Sequence, residues 1–376
     1  MSTDKLRSSG QTSPSPASDR APFGGNPSMT ILSRLLLKSD GGKDDGICNL
    51  SSREFEEMVA LADSNHVIIR ALDIFRENRI EAGDSNRVEW ATVALEREHA
   101  RIENAVAFLE KICSALQGAG CNAIVIKSLD HWPDLGSDLD LYTDAPPAKV
   151  IRVMREHFQA KLADRSWGDR MASKWNFIIP GLPESVEVHM GRLGQTGEQV
   201  AVAGSLIRRS RSIQVGSRAF RAPSAEDRLM ICTLQRMYRH FYARLCDVVD
   251  SAALLETNGV DYDKLRSSAQ LAGIWEGVAT FLVIVSDYVT VFRGHSLSLP
   301  LSVRSAARFG GDQIRFGKGF LRVPILPHSA KLYASQLTTL MANGELRNVA
   351  RLSVLPCLAA AAALQYKVTG SDKGIW

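Results

Sequence analysis

The run Leu135-Gly136-Ser137-Asp138-Leu139-Asp140-Leu141-Tyr142 constrains this chain more than any other segment. Carboxylate and apolar residues alternate with period two, the pattern of a strand with one polar and one buried face. Side chains on a strand alternate sides, so Asp138 and Asp140 share a face while Leu139 and Leu141 turn to a core. Two like charges side by side repel, and packing gives no reason to pair them. A hard divalent cation such as Mg²⁺ gives one, because it takes carboxylate oxygens as ligands. A solvated edge strand with an acidic face fits the same pattern.

The flanking residues extend the reading. Upstream, Cys121-Asn122-Ala123-Ile124-Val125-Ile126 is an apolar run suited to a buried strand. It ends at Lys127-Ser128, and a loop carrying Asp130, His131 and Asp134 then leads to the acidic strand, placed to rim a site. Downstream, residues 174–179 and 185–190 read as strands on either side of the turn Pro180-Gly181-Leu182-Pro183. In the second of them Val186 and Val188 face one way, Glu187 and His189 the other. A third carboxylate thus stands on a later strand of the same small sheet. Lys127 reads as a charge for an anion or as a solvated strand end. Ser128 reads as a hydroxyl donor or a turn former, and His189 as a ligand contact or a structural hydrogen-bonding residue. Ser137 begins the strand or stands beside a ligand.

Strand, small residue, loop, apolar-Asp-apolar-Asp-apolar, then a later acidic strand: over residues 118 to 256 this resembles the nucleotidyltransferase fold of the DNA polymerase β type. It most resembles an uncharacterised bacterial branch in which Lys-Gly replaces the usual Gly-Ser and a helical domain follows. The resemblance implies an α+β fold, a small mixed sheet flanked by helices, with N-terminal and C-terminal helical domains. It implies Asp138, Asp140 and Glu187 as catalytic metal ligands for Mg²⁺ or Mn²⁺, with Lys127, Ser128, Ser137 and His189 on the nucleotide side. The substrate it implies is a nucleoside triphosphate, attacked at the α-phosphorus by an acceptor hydroxyl while pyrophosphate leaves. In that scheme Glu187 also takes the acceptor's proton. This chain departs from the pattern twice. Lys127 stands where the first glycine of the phosphate turn is usual, and the third carboxylate is Glu rather than Asp. A catalytically degenerate nucleotide-binding regulator or scaffold is therefore a second reading. A polymerase acting on RNA ends is a third, and it calls for a broad basic track.

Composition argues against that third reading. The net charge of +4 is too mild to imply nucleic acid. The densest basic group, Arg208-Arg209-Ser210-Arg211 with Arg218 and Arg221, reads as a solvated helix end or an anion contact. With 376 residues, 45% hydrophobic and 23% charged, the chain is long enough for two or three globular domains. Cys48, Cys113, Cys121, Cys232, Cys246 and Cys357 show neither paired spacing nor a Cys/His zinc pattern, and read as free thiols. No secretory pattern opens the sequence, and the Ala-rich run 352–364 is interrupted by Pro356 and short for a membrane span. These features predict a cytoplasmic protein with no membrane span.

Four regions follow: a mostly disordered tail over 1–45, a helical region over 46–117, the α/β unit over 118–223 and a helical domain over 224–376. Ile31 to Leu37 predicts a short docking helix, Ser51-Ser52-Arg53-Glu54 a capping box, and residues 85–117 one long amphipathic helix. Residues 229–242 and 245–256 predict helices; the resemblance implies that this domain closes over the nucleotide, with Arg236, Arg239 or His240 reaching its phosphates, while surface or helix-packing polarity fits the same residues. Residues 275–293 predict a central apolar helix, 314–323 a hairpin, and 352–364 a packed C-terminal helix.

Overall fold

A computed structural model describes residues 26–38, 50–257 and 259–369. Most of the tail expected to be disordered, and Cys48, lie outside the described residues.

The alternating run becomes the second strand of a five-stranded mixed sheet. Its strands are β1 (Ala123–Val125), β2 (Asp138–Thr143), β3 (Lys161–Leu162), β4 (Lys174–Ile178) and β5 (Ser185–Met190). Their order is β1-β2-β5-β4-β3, with β2 and β5 parallel and the other neighbours antiparallel. A parallel pair cannot come from a hairpin, and here the crossover contains the helix Pro147–Phe158 together with β3 and β4. Leu139 and Leu141 are fully buried, as are Val186 and Val188 beside them. Each contributes about 1.5–3 kcal/mol through apolar burial, which fixes which way the intervening carboxylates point. The fold is α+β, with helices on both flanks of the chain.

The 34-residue helix Ser85–Gly118 buries a stripe from Ala91 to Leu116, and the chain turns out of it at Gly120, whose φ of +68° suits glycine. Its Arg101 reaches across to the entrance of β2. The guanidinium donates to the carbonyls of Leu135 (2.7 Å) and Gly136 (3.2 Å) and pairs with Glu98 and Glu184. The backbone before Asp138 is thereby anchored. The predicted capping box is present, with Ser51 and Glu54 exchanging side-chain and backbone bonds. The docking helix is Pro27–Leu37, whose Ser33 hydroxyl meets Tyr288 at 2.7 Å.

Tyr288 belongs to Trp275–Arg293, a helix long and apolar enough to cross a membrane. Twelve of its residues are buried within the protein, and it serves as a core helix. The predicted hairpin forms from Arg315–Gly317 and Phe320–Arg322, joined by Tyr242–Ala243 as a third strand.

Two expectations are corrected. The helix predicted over 229–242 ends earlier. Ala225–Gln235 gives way to a π-type turn, Arg236–His240, then Phe241 at φ 53° and the short strand. Pairing of Tyr242 and Ala243 with Arg322 and Leu321 overrides helical propensity there. The C-terminal run is packed only at its start: Leu352 is buried, and most of the described side chains after it are exposed. It divides into Leu346–Ser353 and Leu355–Thr369, with Leu364 65% exposed, and Pro356 lies in the first turn of the second helix, where its missing N–H is tolerated.

Candidate active site

The floor of the site is the β2–β5 pair. Its register sets Asp138 opposite Ser185, Asp140 opposite Glu187 and Tyr142 opposite His189. Ser185 donates to Asp138 at 2.8 Å, and Asp138 makes no ion pair among the described residues. Burial raises the Asp138 carboxyl above its usual range, and the neighbouring charges of Asp140 and Glu187 add to this. Ser128, expected as a phosphate donor, is engaged elsewhere. Its hydroxyl accepts the Asp140 N–H (2.7 Å) and donates to the Asp138 carbonyl (3.1 Å), clamping the strand. Ser137 is exposed at the pocket edge.

Lys127 turns inward. It sits at φ 61°, ψ −60°, and the Ser128 N–H donates to the Ile126 carbonyl across it at 2.6 Å. This is a γ-turn of the rare positive-φ type, a strained conformation for a lysine. The turn aims the ammonium at Asp140 (2.5 Å), Glu187 (3.2 Å) and His189 Nε2 (3.2 Å). Lys174 of β4 grips the other Glu187 oxygen at 2.8 Å and reaches Asp169 at 2.8 Å. His189 Nε2 lies 2.8 Å from Glu187. Burial opposes ionisation of Glu187, but Lys127, His189 and Lys174 together hold its carboxyl well below the usual range. Asp140 and Asp138 therefore share a face with a carboxylate held ionised by two lysines.

Donor atoms of Asp140, Glu187 and His189 all lie within 4.8 Å of one another, the spacing of groups that share a cation. Two carboxylates and a buried imidazole, with Asp138 beside them, fit a hard divalent ion. Lys127 supplies the positive charge at their centre in this structure.

The roof is basic and aromatic. Arg236, Arg239, His240, Tyr242 and Arg244 face the floor across a cavity of about 180 Å³ that opens to solvent. The π-type turn places them, as such turns often do at functional sites. Arg236 is pinned 2.7 Å from Asp247. Tyr242 stacks on Phe320 with centroids 4.5 Å apart, and the guanidinium carbons of Arg236, Arg244 and Arg322 lie 5.3–6.0 Å from the Tyr242 ring. Arg239 is half-buried and makes no ion pair among the described residues, so its charge is available to an anion. Burial, then Arg239, Arg236 and Arg244, hold the His240 imidazole at about 2, so it is neutral.

Other residues singled out in the sequence serve as ties. Asp134 is fully buried between the Ile69 N–H and Arg70, and Asp130 pairs with Arg228. His131 alone of that loop's three polar residues reaches the cavity wall. In the basic group at 208–221, Arg209 pairs with Asp227 and Arg218 with the exposed Glu103 and Glu110, while Arg208, Arg211 and Arg221 stand exposed as a solvated face. Sequence reasoning missed Lys174, whose alternation with Trp175 was the available signal, and His66, which no motif marks.

A family model described as "uncharacterised nucleotidyltransferase" matches residues 51–289. The match is wider at both ends than residues 118–256, and it contains both floor and roof of the cavity. A search of curated proteins gives no match.

Proposed function

Because the chain belongs to that uncharacterised nucleotidyltransferase family, we propose that it moves a nucleoside monophosphate from a nucleoside triphosphate to a hydroxyl of a small-molecule, sugar or protein acceptor. The observation that carries this reading is an acidic floor of Asp138, Asp140 and Glu187 facing the unpaired Arg239 and its basic neighbours across one cavity. The acceptor oxygen bonds to the α-phosphorus, the bond to the oxygen that bridges α- and β-phosphorus breaks, and pyrophosphate departs. Arg239 and Arg244 offer charge to the triphosphate, and Tyr242 offers a ring face for a base. Bound Mg²⁺ or Mn²⁺, held by Asp138, Asp140 and Glu187, would supply Lewis-acid polarisation and charge neutralisation. Glu187, paired with two lysines and His189, suits a fixed charge better than a base. Asp138, with its raised carboxyl and a single hydrogen bond, suits acceptance of the acceptor's proton.

A second reading has its own support. Lys127 satisfies the carboxylates without a metal, as expected of a site that binds nucleotide and does not turn it over. The test uses each α-labelled nucleoside triphosphate with Mg²⁺ or Mn²⁺, following pyrophosphate release and label transfer for wild type and Asp138→Asn. Release that the variant loses supports transfer and identifies the base. Nucleotide binding with no release across a panel of hydroxyl acceptors supports the regulatory reading.

A further inference from the structure

A second cluster begins in the wall of the same cavity, where His66 and His131 line it and the fully buried Cys246 lies behind them. His66, His131 and Cys246 each offer one ligand atom, all within 4.8 Å of one another. They come from three distant segments. His66 follows the helix Ser52–Ser64 in a left-handed turn at φ 53°, a conformation that histidine adopts more readily than most residues. His131 ends the short 3₁₀ turn Ser128–His131, and Cys246 opens the helix Leu245–Glu256.

Hydrogen bonds stitch the three together. Asn65, next to His66, accepts the Leu245 N–H on its side chain (3.0 Å) and the Cys246 N–H on its carbonyl (3.3 Å). His131 Nδ1 bonds Asp250 at 2.5 Å, one turn along the Cys246 helix, and Asp250 is itself held by Arg70 at 2.6 Å. That bond leaves His131 Nε2 directed at the Cys246 sulfur, 3.7 Å away. Nitrogen and sulfur ligands of one tetrahedral zinc stand about 3.5 Å apart. A carboxylate behind a ligating histidine is the usual outer-shell arrangement. The His66 ring lies over Gly136, where a Cβ would come within 2.7 Å of it, and its buried Nδ1 has no partner.

We propose that His66, His131 and Cys246 form a metal site for a borderline-soft divalent ion of the zinc class, with its fourth position open to the cavity. Two imidazoles and a thiolate select such an ion over Mg²⁺. The ion binds with release of the Cys246 thiol proton, together with any carried on His131 Nε2. This site is independent of the nucleotidyl-transfer reading, and the nitrogen and sulfur donors separate it from the all-carboxylate pair on β2.

The test uses the full chain with any affinity tag removed. Zinc is measured by elemental analysis after dialysis, and the visible spectrum is recorded after Co²⁺ loading. The expected result is about one zinc per chain and a thiolate-to-cobalt band. Cys246→Ser should abolish the band and weaken zinc binding by at least ~100-fold, beyond what loss of an outer-shell partner costs. Asp140→Asn should leave both unchanged. Should Cys246→Ser fail to fold, His66→Gln, at a half-buried ligand, should lower zinc affinity in the same way. Wild type without retained zinc and without a thiolate band overturns the site. So does a band that survives Cys246→Ser, or zinc affinity unchanged in His66→Gln.

Discussion

Replacing Lys127 by Met removes the positive charge at the centre of the acidic floor while keeping most of the side-chain volume. The ammonium stands 2.5 Å from Asp140 and 3.2 Å from Glu187, and its side chain is 12% exposed. At an effective dielectric of ~20, a unit-charge pair ~3 Å apart attracts by about 5 kcal/mol. Desolvation of the ammonium offsets much of that in the intact protein. Removing one partner leaves the carboxylates buried and unbalanced, a change that costs about 3–5 kcal/mol in buried pairs generally. Lys127→Met should therefore lower unfolding free energy by about that amount in metal-free buffer, measured by urea denaturation. Added Mg²⁺ or Mn²⁺ should restore the variant, by about 2.7 kcal/mol at a hundred times its dissociation constant. Without nucleotide, wild type should respond much less, because its own ammonium already holds the position that a metal entering with the triphosphate would take. Lys127→Gly separates charge from backbone: it loses the ammonium but relieves the positive φ, and should sit about 1 kcal/mol above Lys127→Met. A variant as stable as wild type without metal, or equal metal responses in both proteins, would refute the assignment of Lys127 as the site's internal cation.

Asp138→Asn should reduce nucleotidyl transfer at least ~100-fold in kcat, about 2.7 kcal/mol of barrier, with the fold intact by circular dichroism. Arg239→Ala should raise KM for the nucleoside triphosphate ~10-fold in steady-state kinetics, with little change in stability, since no ion pair is broken. His240 is held at about 2 when folded against 6.5 for a free imidazole, so the unfolded chain takes up the extra proton as pH falls below 6.5. Stability should then drop by up to about 1.4 kcal/mol per pH unit from this group, and His240→Gln should flatten that slope in denaturation series between pH 7 and pH 5. Arg236→Met should destabilise by about 3–5 kcal/mol in thermal or urea unfolding, because it strands Asp247, which is 3% exposed.

What could be read from the sequence follows the reach of its periodicities. Period-two alternation is local, so the shared face of Asp138 and Asp140, and of Glu187 and His189, was legible. The long helix over 85–118 was legible from its apolar stripe. The direction of Lys127 was not, because a positive-φ turn is imposed by the strands on either side and leaves no residue preference behind. Ser128 read as a donor to substrate or, somewhat better, as a turn former, and only the position of the β2 backbone decides which. The break at Arg236 depends on a hairpin some eighty residues later, which no window around that segment contains. His66 reaches the cavity through a single left-handed residue after a helix, a feature with no periodic signature.

The parallel pairing of β2 and β5 also sets the order in which the acidic floor can come into being. Asp138 and its partner Ser185 are 47 residues apart. During synthesis at about 5–20 residues per second, the Asp-Leu-Asp segment precedes the Glu187 strand by roughly 2–10 s. Loop closure across that interval also makes the pair intrinsically slow to form. A nascent chain therefore carries its two aspartates beside Lys127 before Glu187 and Lys174 exist to complete the cluster. An early Lys127–Asp140 contact spans only thirteen residues, and it is the pairing that could hold the strand in register until its parallel neighbour arrives.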